Sequence, residues 1–225
     1  MITINLSLVF LISLVTNIIT IFVIKVKSIN SLAILTNLTA GILTGIICFE
    51  MIPDSIILSN YIFTILICFL TVILTFILDK YVTKNNSTYL ITLSMFIHNI
   101  IEGIAVGSVF TYSYELGVSL LIATILHDIP ESLIIGVNIL NKRRYIKLIN
   151  ALLISFSLVI GMVIGKYLGN ISNIYSALFL SLSSGCMLYI VVLDLLPKTH
   201  KLSNNKYISI IYIIGLLISI VITHI

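Results

Sequence analysis

The chain has 225 residues, of which 60% are hydrophobic and only 9% are charged, and its mean hydropathy is +1.24. Soluble domains carry an apolar share of roughly 45–50%, so this composition excludes an ordinary water-soluble protein and predicts a polytopic membrane protein. The net charge of +4 fits contact with anionic membrane lipids, and it gives no reason to propose nucleic acid as a partner.

Apolar windows of about twenty residues, the length that crosses roughly 30 Å of hydrocarbon as a helix, occur eight times. We expect helices rather than barrel strands, because the windows lack strict alternation and each helix satisfies its own backbone hydrogen bonds in lipid. The sequence therefore predicts an all-α membrane protein with one transmembrane domain over residues 1–225. Its eight predicted helices lie at 3–24, 32–52, 60–79, 88–110, 116–140, 146–168, 173–196 and 207–225.

The first window differs from a cleaved signal peptide. No Lys or Arg precedes it and no small-x-small cleavage site follows it, so we expect it to remain as a spanning helix. Three cysteines, Cys48, Cys68 and Cys186, lie inside apolar windows without Cys-x-x-Cys spacing. They are expected to be packing residues rather than disulfide partners or zinc ligands.

The second and seventh windows contain an internal repeat. Residues 40–53 align without gaps with residues 184–197. The two segments share an early glycine and a closing acid-x-x-Pro, represented by Gly41 and Gly185, Glu50 and Asp194, Pro53 and Pro197. Because the second and seventh helices would run in opposite directions, we predict that helices 1–3 and 6–8 form an inverted repeat around helices 4 and 5. Many secondary transporters use this organisation to open alternately to either side.

The fourth and fifth windows each contain one copy of a polar motif. The copies read His98-Asn-Ile-Ile-Glu102-Gly and His127-Asp-Ile-Pro-Glu131-Ser. Holding an ionisable side chain in the core of a bilayer costs several kcal/mol, so such clusters indicate a functional site. Residues four apart share a helix face, and two facing pairs would supply two imidazole nitrogens and two carboxylate oxygens. That set suits Zn²⁺, while Fe²⁺, Mn²⁺ and Cd²⁺ also fit the ligand types.

Further polar residues accompany these motifs. Asn99 and Asp128 each follow a motif histidine, about 100° further round the helix, and are expected to form a second, oxygen-rich site or to support the first. The alternative is that all of these groups only bond helix to helix. Two His, two Glu and an Asp at matched spacing disfavour it.

Other candidates lie near predicted helix ends. For Glu50, Asp54 and Asp194 a solvated charge at the rim is the simpler interpretation, and a place on the metal's path is the alternative. His200 lies in a predicted loop, where metal contact is the less favoured interpretation. The glycine pairs Gly103-x-x-x-Gly107 and Gly161-x-x-x-Gly165 predict close helix packing.

The basic residues predict orientation. Eleven of the twelve Lys and Arg fall in the odd-numbered loops, and only Lys166 falls in an even one. The positive-inside rule therefore places the odd loops in the cytoplasm and both chain ends outside.

The paired motif, in the fourth and fifth of eight helices, resembles the ZIP (Zrt/Irt-like) divalent-metal transporters. Their helices commonly carry His-Asn-x-x-Glu-Gly and His-[Asn/Asp/Glu]-x-Pro-Glu. The resemblance implies that His98, Glu102, His127 and Glu131 form the primary transport site, with Asn99 and Asp128 on the side of a second metal.

Several departures from the family pattern matter. Ile101 replaces a frequent proline, Ser132 replaces a frequent glycine, and residues 146–168 contain no carboxylate to complete a second site. The loop between helices 3 and 4 is short and has no His, which places the chain closer to the compact prokaryotic branch.

We expect a transporter, not an enzyme, that carries Zn²⁺ or a similar ion as its substrate into the cytoplasm by alternating access. The metal would enter past Glu50 and Asp54 and leave past Asp194 and His200. A metal-permeable channel is the nearer alternative. An intramembrane metalloenzyme is disfavoured, because the chain has neither His-Glu-x-x-His nor Glu-x-x-His pairs. A bacterial plasma membrane is the expected location, and a homodimer is an open alternative to a monomer.

Overall fold

The computed structural model describes residues 5–22, 29–85, 88–138, 142–202 and 206–222. Within these ranges the chain is almost entirely helical and contains no strand. Eight helical rods follow one another: α1 (Leu6–Phe22), α2 (Ile29–Ile46, Ile47–Met51 and Ile52–Leu58), α3 (Tyr61–Asn85), α4 (Thr88–Tyr112), α5 (Tyr114–Asn138), α6 (Arg144–Ile171), α7 (Asn173–Tyr189, Ile190–Leu195 and Leu196–Leu202) and α8 (Lys206–Ile222).

Five segments are long and apolar enough to cross a membrane, namely Ala33–Leu58, Tyr61–Tyr81, Met95–Tyr112, Arg144–Ile171 and Asn173–Leu193. Three shorter apolar helices cover Leu6–Phe22, Tyr114–Leu126 and Tyr207–Val221. The all-α, multi-pass membrane class predicted from composition is confirmed. Five of the eight predicted spans meet both the length and the apolarity criteria within the described residues.

The larger of two hydrophobic clusters among the described residues lies between the central rods. Its fully buried side chains come from α2, α4, α5, α6 and α7, and the largest include Leu43, Met51, Leu120, Leu158 and Met187. α4 packs against α5, α6 and α7, while α1 packs against α5 and α6. The outermost rods cover the flanks, with α8 on α2 and α3 on α7.

Glycine brings α4 and α6 into backbone contact. A Cβ atom added to Gly103 would overlap the carbonyl oxygen of Leu158, and one added to Gly107 would overlap that of Met162. From the other side, a Cβ on Gly161 would lie 2.8 Å from the Cα of Gly103. The predicted role of the two glycine pairs in close packing is confirmed.

The repeat glycines serve the two flanking pairs in the same way. Gly41 of α2 lies against the backbone of Tyr212 in α8, and Gly185 of α7 lies against the backbone of Cys68 in α3. In both pairs a side chain at the glycine would collide with backbone atoms, which cannot move aside. These positions therefore require glycine.

Two rods contain a widened turn that the sequence analysis did not predict. Residues Ile47–Met51 of α2 and Ile190–Leu195 of α7 are π-helical. Each π segment ends two residues before a proline, Pro53 or Pro197. Proline lacks an N–H and its ring crowds the carbonyl four residues earlier, and a π turn is one way to accommodate both. Such turns are frequent at functional sites.

Candidate metal site

The site begins with one pair of side chains on α4. His98 Nε2 lies 3.0 Å from Glu102 Oε1, one helical turn away. His98 is 7% exposed and Glu102 is fully buried. The i, i+4 spacing thus brings an imidazole and a carboxylate together on one face, as predicted, in a region where ionised groups are costly without a partner.

Two more of the predicted residues are also buried. One follows His98 on α4, and the other lies on α5, the rod that packs against α4. Asn99 on α4 and Asp128 on α5 are 0% and 1% exposed, and the two rods pack against each other. Within the described residues, neither the oxygen nor the nitrogen of the Asn99 amide has a hydrogen-bond partner. A buried amide without partners costs about 1–3 kcal/mol, and a bound cation or water at its oxygen would offset part of that cost.

The second motif is only partly visible. His127 and Glu131 fall within α5, but their side chains lie outside the described part of the structure. Among the side chains that are described, no group of three or more His, Cys, Asp or Glu is arranged to hold a metal. The four-residue site therefore stays a prediction. Its α4 half, His98 and Glu102, is seen in the structure.

The structure adds a residue that sequence reasoning missed. Cys186 Sγ, on α7, lies 3.1 Å from Nδ1 of His98. The sequence analysis interpreted Cys186 as a packing residue, because a single cysteine in an apolar window has no informative spacing. Only the packing of α7 on α4 brings the two side chains together.

Glu50 is not the solvated rim charge that the sequence analysis favoured. It lies in the π segment of α2, is only 8% exposed and accepts a hydrogen bond from the Ser119 hydroxyl of α5. Its Oε2 atom is buried without a hydrogen-bond partner among the described residues. Helix packing explains the difference, because α2 turns this face towards α5.

The three remaining candidates lie on α2 and α7. Asp54 is partly buried one turn beyond Glu50, and His200 is exposed near the end of α7. Asp194 falls within the π segment of α7, but its side chain lies outside the described residues. His200 therefore lies on a helix and not in the predicted loop, because the last segment of α7 continues to Leu202; Asp54 keeps a partly exposed position near the end of α2.

A hydrogen-bond network secures α5 next to the site. Ser132, which follows Glu131, donates to Asn17 of α1, and Asn17 donates to Ser155 of α6 at 3.1 Å. All three side chains are fully or almost fully buried. The serine that replaces the frequent glycine of the family pattern thus anchors the second motif to two neighbouring helices.

Comparison with known proteins identifies the family. The sequence model described as "ZIP Zinc transporter" matches residues 84–223, which include both motifs and the rods from α4 to α8. The chain belongs to the ZIP family. It is 27% identical over 134 residues to the human zinc transporter ZIP4 and 28% identical over 124 residues to human ZIP10. Rat metal cation symporter ZIP8 is 31% identical over 122 residues.

These alignments cover 57%, 54% and 52% of this chain but only 20%, 15% and 26% of the respective relatives. The chain therefore aligns with about a quarter or less of each relative's length.

Proposed function

We propose that this ZIP family chain carries a divalent metal ion, with zinc as its first substrate, across a membrane into the cytoplasm by alternating access. The observation that carries the proposal is the buried His98–Glu102 pair, 3.0 Å apart on a membrane-spanning helix. An imidazole nitrogen and a carboxylate oxygen are ligands that Zn²⁺ accepts. Fe²⁺, Mn²⁺ and Cd²⁺ are the alternative substrates with compatible ligand chemistry.

The proposed binding site combines both motifs. His98 and Glu102 would face His127 and Glu131 across the α4–α5 contact, with Asn99 and Asp128 as additional oxygen donors. The two carboxylates would balance the charge of the ion, which lowers the cost of holding it away from water. Burial of Asn99, Glu102 and Asp128 supports this arrangement, since buried polar groups at membrane depth need a reason to be there.

Pairwise packing supports an inverted repeat. Exchanging α1 with α6, α2 with α7, α3 with α8 and α4 with α5 maps the following contacts onto one another or onto themselves, whereas the α6–α7, α3–α4 and α2–α3 contacts have no counterpart among the closer helix contacts of the described residues. The α4–α6 contact becomes α5–α1, α2–α8 becomes α7–α3, and α4–α7 becomes α5–α2. The α1–α6, α2–α7 and α4–α5 contacts map onto themselves. Secondary transporters built from two inverted halves can open to either side of the membrane.

Local structure repeats at the aligned positions too. Met51 and Leu195, which align in the sequence repeat, each end a π segment. Gly41 and Gly185, which also align, each contact the flanking rod of their own half. Both correspondences link the sequence repeat to backbone geometry, and they support common use of α2 and α7 as the rods that rearrange.

The proposed path runs from Glu50 to the central site. Ser119 contacts Glu50. It precedes His127 by eight residues, which corresponds to about 12 Å along α5. We therefore propose that the ion passes Asp54 first, near the outer opening of the path. It then passes the buried Glu50 before it reaches the central site. Release would pass Asp194 and His200 on α7. The direction into the cytoplasm, the outside location of both chain ends and the bacterial plasma membrane come from the positive-inside rule, family resemblance and composition.

Transport into sealed vesicles tests the proposal. Purified protein is reconstituted into liposomes loaded with a zinc-sensitive dye, and wild type is compared with the double variant Glu102→Ala/Glu131→Ala. We expect saturable, strongly temperature-dependent flux in wild type and none in the double variant. Glu115→Ala provides the matched control, because Glu115 is an exposed residue at the start of α5 and its loss should leave flux unchanged.

Other outcomes point to the competing functions. Flux that does not saturate and depends weakly on temperature would favour a metal-permeable channel. Tight zinc binding without flux in correctly inserted vesicles would contradict transport and favour a metal-dependent enzyme or sensor. Membership of a family described as transporters argues against the enzyme. Cross-linking of the reconstituted protein distinguishes a monomer from a homodimer.

A further inference from the structure

Four side chains on three rods form a continuous row from the central rod α4 to the flanking rod α3. Glu102 Oε1 contacts His98 Nε2 at 3.0 Å, and His98 Nδ1 contacts Cys186 Sγ at 3.1 Å. Cys186 Sγ in turn lies 3.6 Å from the Thr75 hydroxyl oxygen. The row therefore crosses from α4 through α7 to α3, and Cys186 is its central link.

Counting the hydrogens of these groups shows in which direction they can donate hydrogen bonds along the row. The Thr75 hydroxyl has one hydrogen, and it has a 2.8 Å acceptor in the Thr71 carbonyl. The hydroxyl is also within donating reach of Cys186 Sγ at 3.6 Å; when its hydrogen is bonded to the shorter contact at Thr71, its oxygen can instead accept the thiol hydrogen of Cys186. The sulfur lone pairs then face Nδ1 of His98 and can accept its hydrogen. A thiol is both a weak donor and a weak acceptor, so it can complete both contacts at once.

We propose that Cys186 is a positioning residue for metal binding by His98. A neutral imidazole carries one hydrogen, and a sulfur acceptor at Nδ1 keeps that hydrogen there. With its hydrogen on Nδ1, the imidazole offers the lone pair of Nε2 to the ion together with the Glu102 oxygen 3.0 Å away, and the ion removes the repulsion that these two acceptors would otherwise have. Metal-binding histidines in general have the second nitrogen held by such an outer hydrogen bond. The inference rests on the proposed function, because it requires His98 to bind metal.

The same geometry argues against direct ligation by the thiol. Cys186 contacts Nδ1, whereas Glu102 contacts Nε2 on the opposite side of the ring. A zinc ion on Nε2 would lie about 2.0–2.1 Å from that nitrogen, and a zinc–sulfur bond is about 2.3 Å long. Cys186 Sγ is across the ring from that position, so it orients the imidazole rather than joining it on the ion.

Zinc affinity of purified full-length protein tests the assignment. Cys186→Ala removes the acceptor, and we expect zinc to bind about tenfold more weakly, the lower end of the effect of outer-shell changes. Cys186→Ser retains an atom that both donates and accepts, so its affinity should return towards wild type. Cys68→Ala is the matched control, since that thiol contacts the Ser181 carbonyl at 3.2 Å and should not affect zinc binding.

A second variant tests the row from its other end without changing the cysteine. Thr75→Val removes the oxygen that accepts the thiol hydrogen, and we expect a weakening of zinc binding smaller than that of Cys186→Ala. Thr75→Ser should restore the affinity. A purely structural role for Cys186 or Thr75 would lower thermal stability and leave the affinity of the folded fraction unchanged, which would overturn the assignment.

Parallel titrations with Cd²⁺ separate positioning from ligation. If the thiol only positions His98, Cys186→Ser retains the wild-type ratio of Cd²⁺ to Zn²⁺ affinity. A selective loss of Cd²⁺ binding in Cys186→Ser would identify a thiolate ligand and contradict the inference. His98→Ala separates the two levels of proposal. If that variant binds zinc as wild type does, the proposed site is wrong. If only Cys186→Ala behaves as wild type, the proposed site remains and the positioning role is wrong.

Discussion

The two motif-bearing rods are held in place by different kinds of contact. α4 lies against α6 through glycines, with backbone meeting backbone at Gly103 and Gly161. α5 lies against α1 at a more ordinary distance, where a Cβ added to Gly136 would lie 3.4 Å from the Cα of Ile21. The α5–α1 contact instead depends on the buried hydrogen bond between Ser132 and Asn17.

This difference is informative because the two contacts are counterparts in the proposed inverted repeat. One half of the site is secured by close packing, which any added atom disrupts. The other is secured by polar groups, which tolerate small changes of shape but need their partners. Equivalent positions in the two halves can therefore respond very differently to the same substitution.

Adding a side chain to the glycine contact should have the largest effect. In Gly103→Ala the new Cβ would overlap the carbonyl oxygen of Leu158, a backbone atom that cannot rotate away. We expect a loss of stability above the about 1–3 kcal/mol of ordinary overpacking, seen as little folded protein by size-exclusion chromatography and thermal melting in detergent. Gly136→Ala on α5 is the matched control and should melt like wild type. Equal behaviour of the two variants would refute the contrast between the rods.

Removing one carboxylate at a time, first from α4 and then from α5, compares how much each rod contributes to zinc binding. Glu102→Ala and Glu131→Ala should each weaken zinc binding by more than about 100-fold, beyond the range of outer-shell changes, because each removes a proposed ligand. The two losses should be similar, as measured by competition titration with a zinc dye. A large loss from Glu102→Ala beside normal binding by Glu131→Ala would confine the site to α4 and contradict the paired motif.

Loss of the polar anchor should have a smaller effect. Asn17→Leu removes the partner of Ser132 and of Ser155, and we expect a loss of about 1–2 kcal/mol, since hydrogen bonds between membrane helices are individually modest. Unfolding in a denaturing detergent measures it. The double variant Asn17→Leu/Ser132→Ala completes a mutant cycle. Additive losses in that cycle would show that the contact does not couple α5 to α1.

Much of this protein could be predicted because the signals are local. The predicted helix at 60–79 corresponds to α3 over Tyr61–Asn85, since apolar length alone selects helices in lipid. The contact of His98 with Glu102 follows from helix geometry, and the glycine pairs on α4 and α6 indicated close packing. Each of these features depends on residues within one or two turns of each other.

The misses depend on which helix faces which. Glu50 looked like a rim charge because it precedes Pro53 near a predicted helix end, yet the packing of α2 on α5 buries it. The turns that depart from α geometry lie ahead of Pro53 and Pro197, and the sequence distinguishes these prolines only through the repeat.

The membrane class, the helical content, the spacing of the two motifs and the resemblance to the ZIP family can all be read from the order of the amino acids. These follow from hydrophobicity and from the fixed rise and rotation of a helix. Other features exist only because distant segments pack together. Cys186 touches His98, 88 residues away, and Glu50 is buried against α5. The rods α4 and α5 are also anchored by different kinds of contact. Contacts between distant segments depend on the relative rotation and depth of whole helices, which the packing of many side chains fixes together.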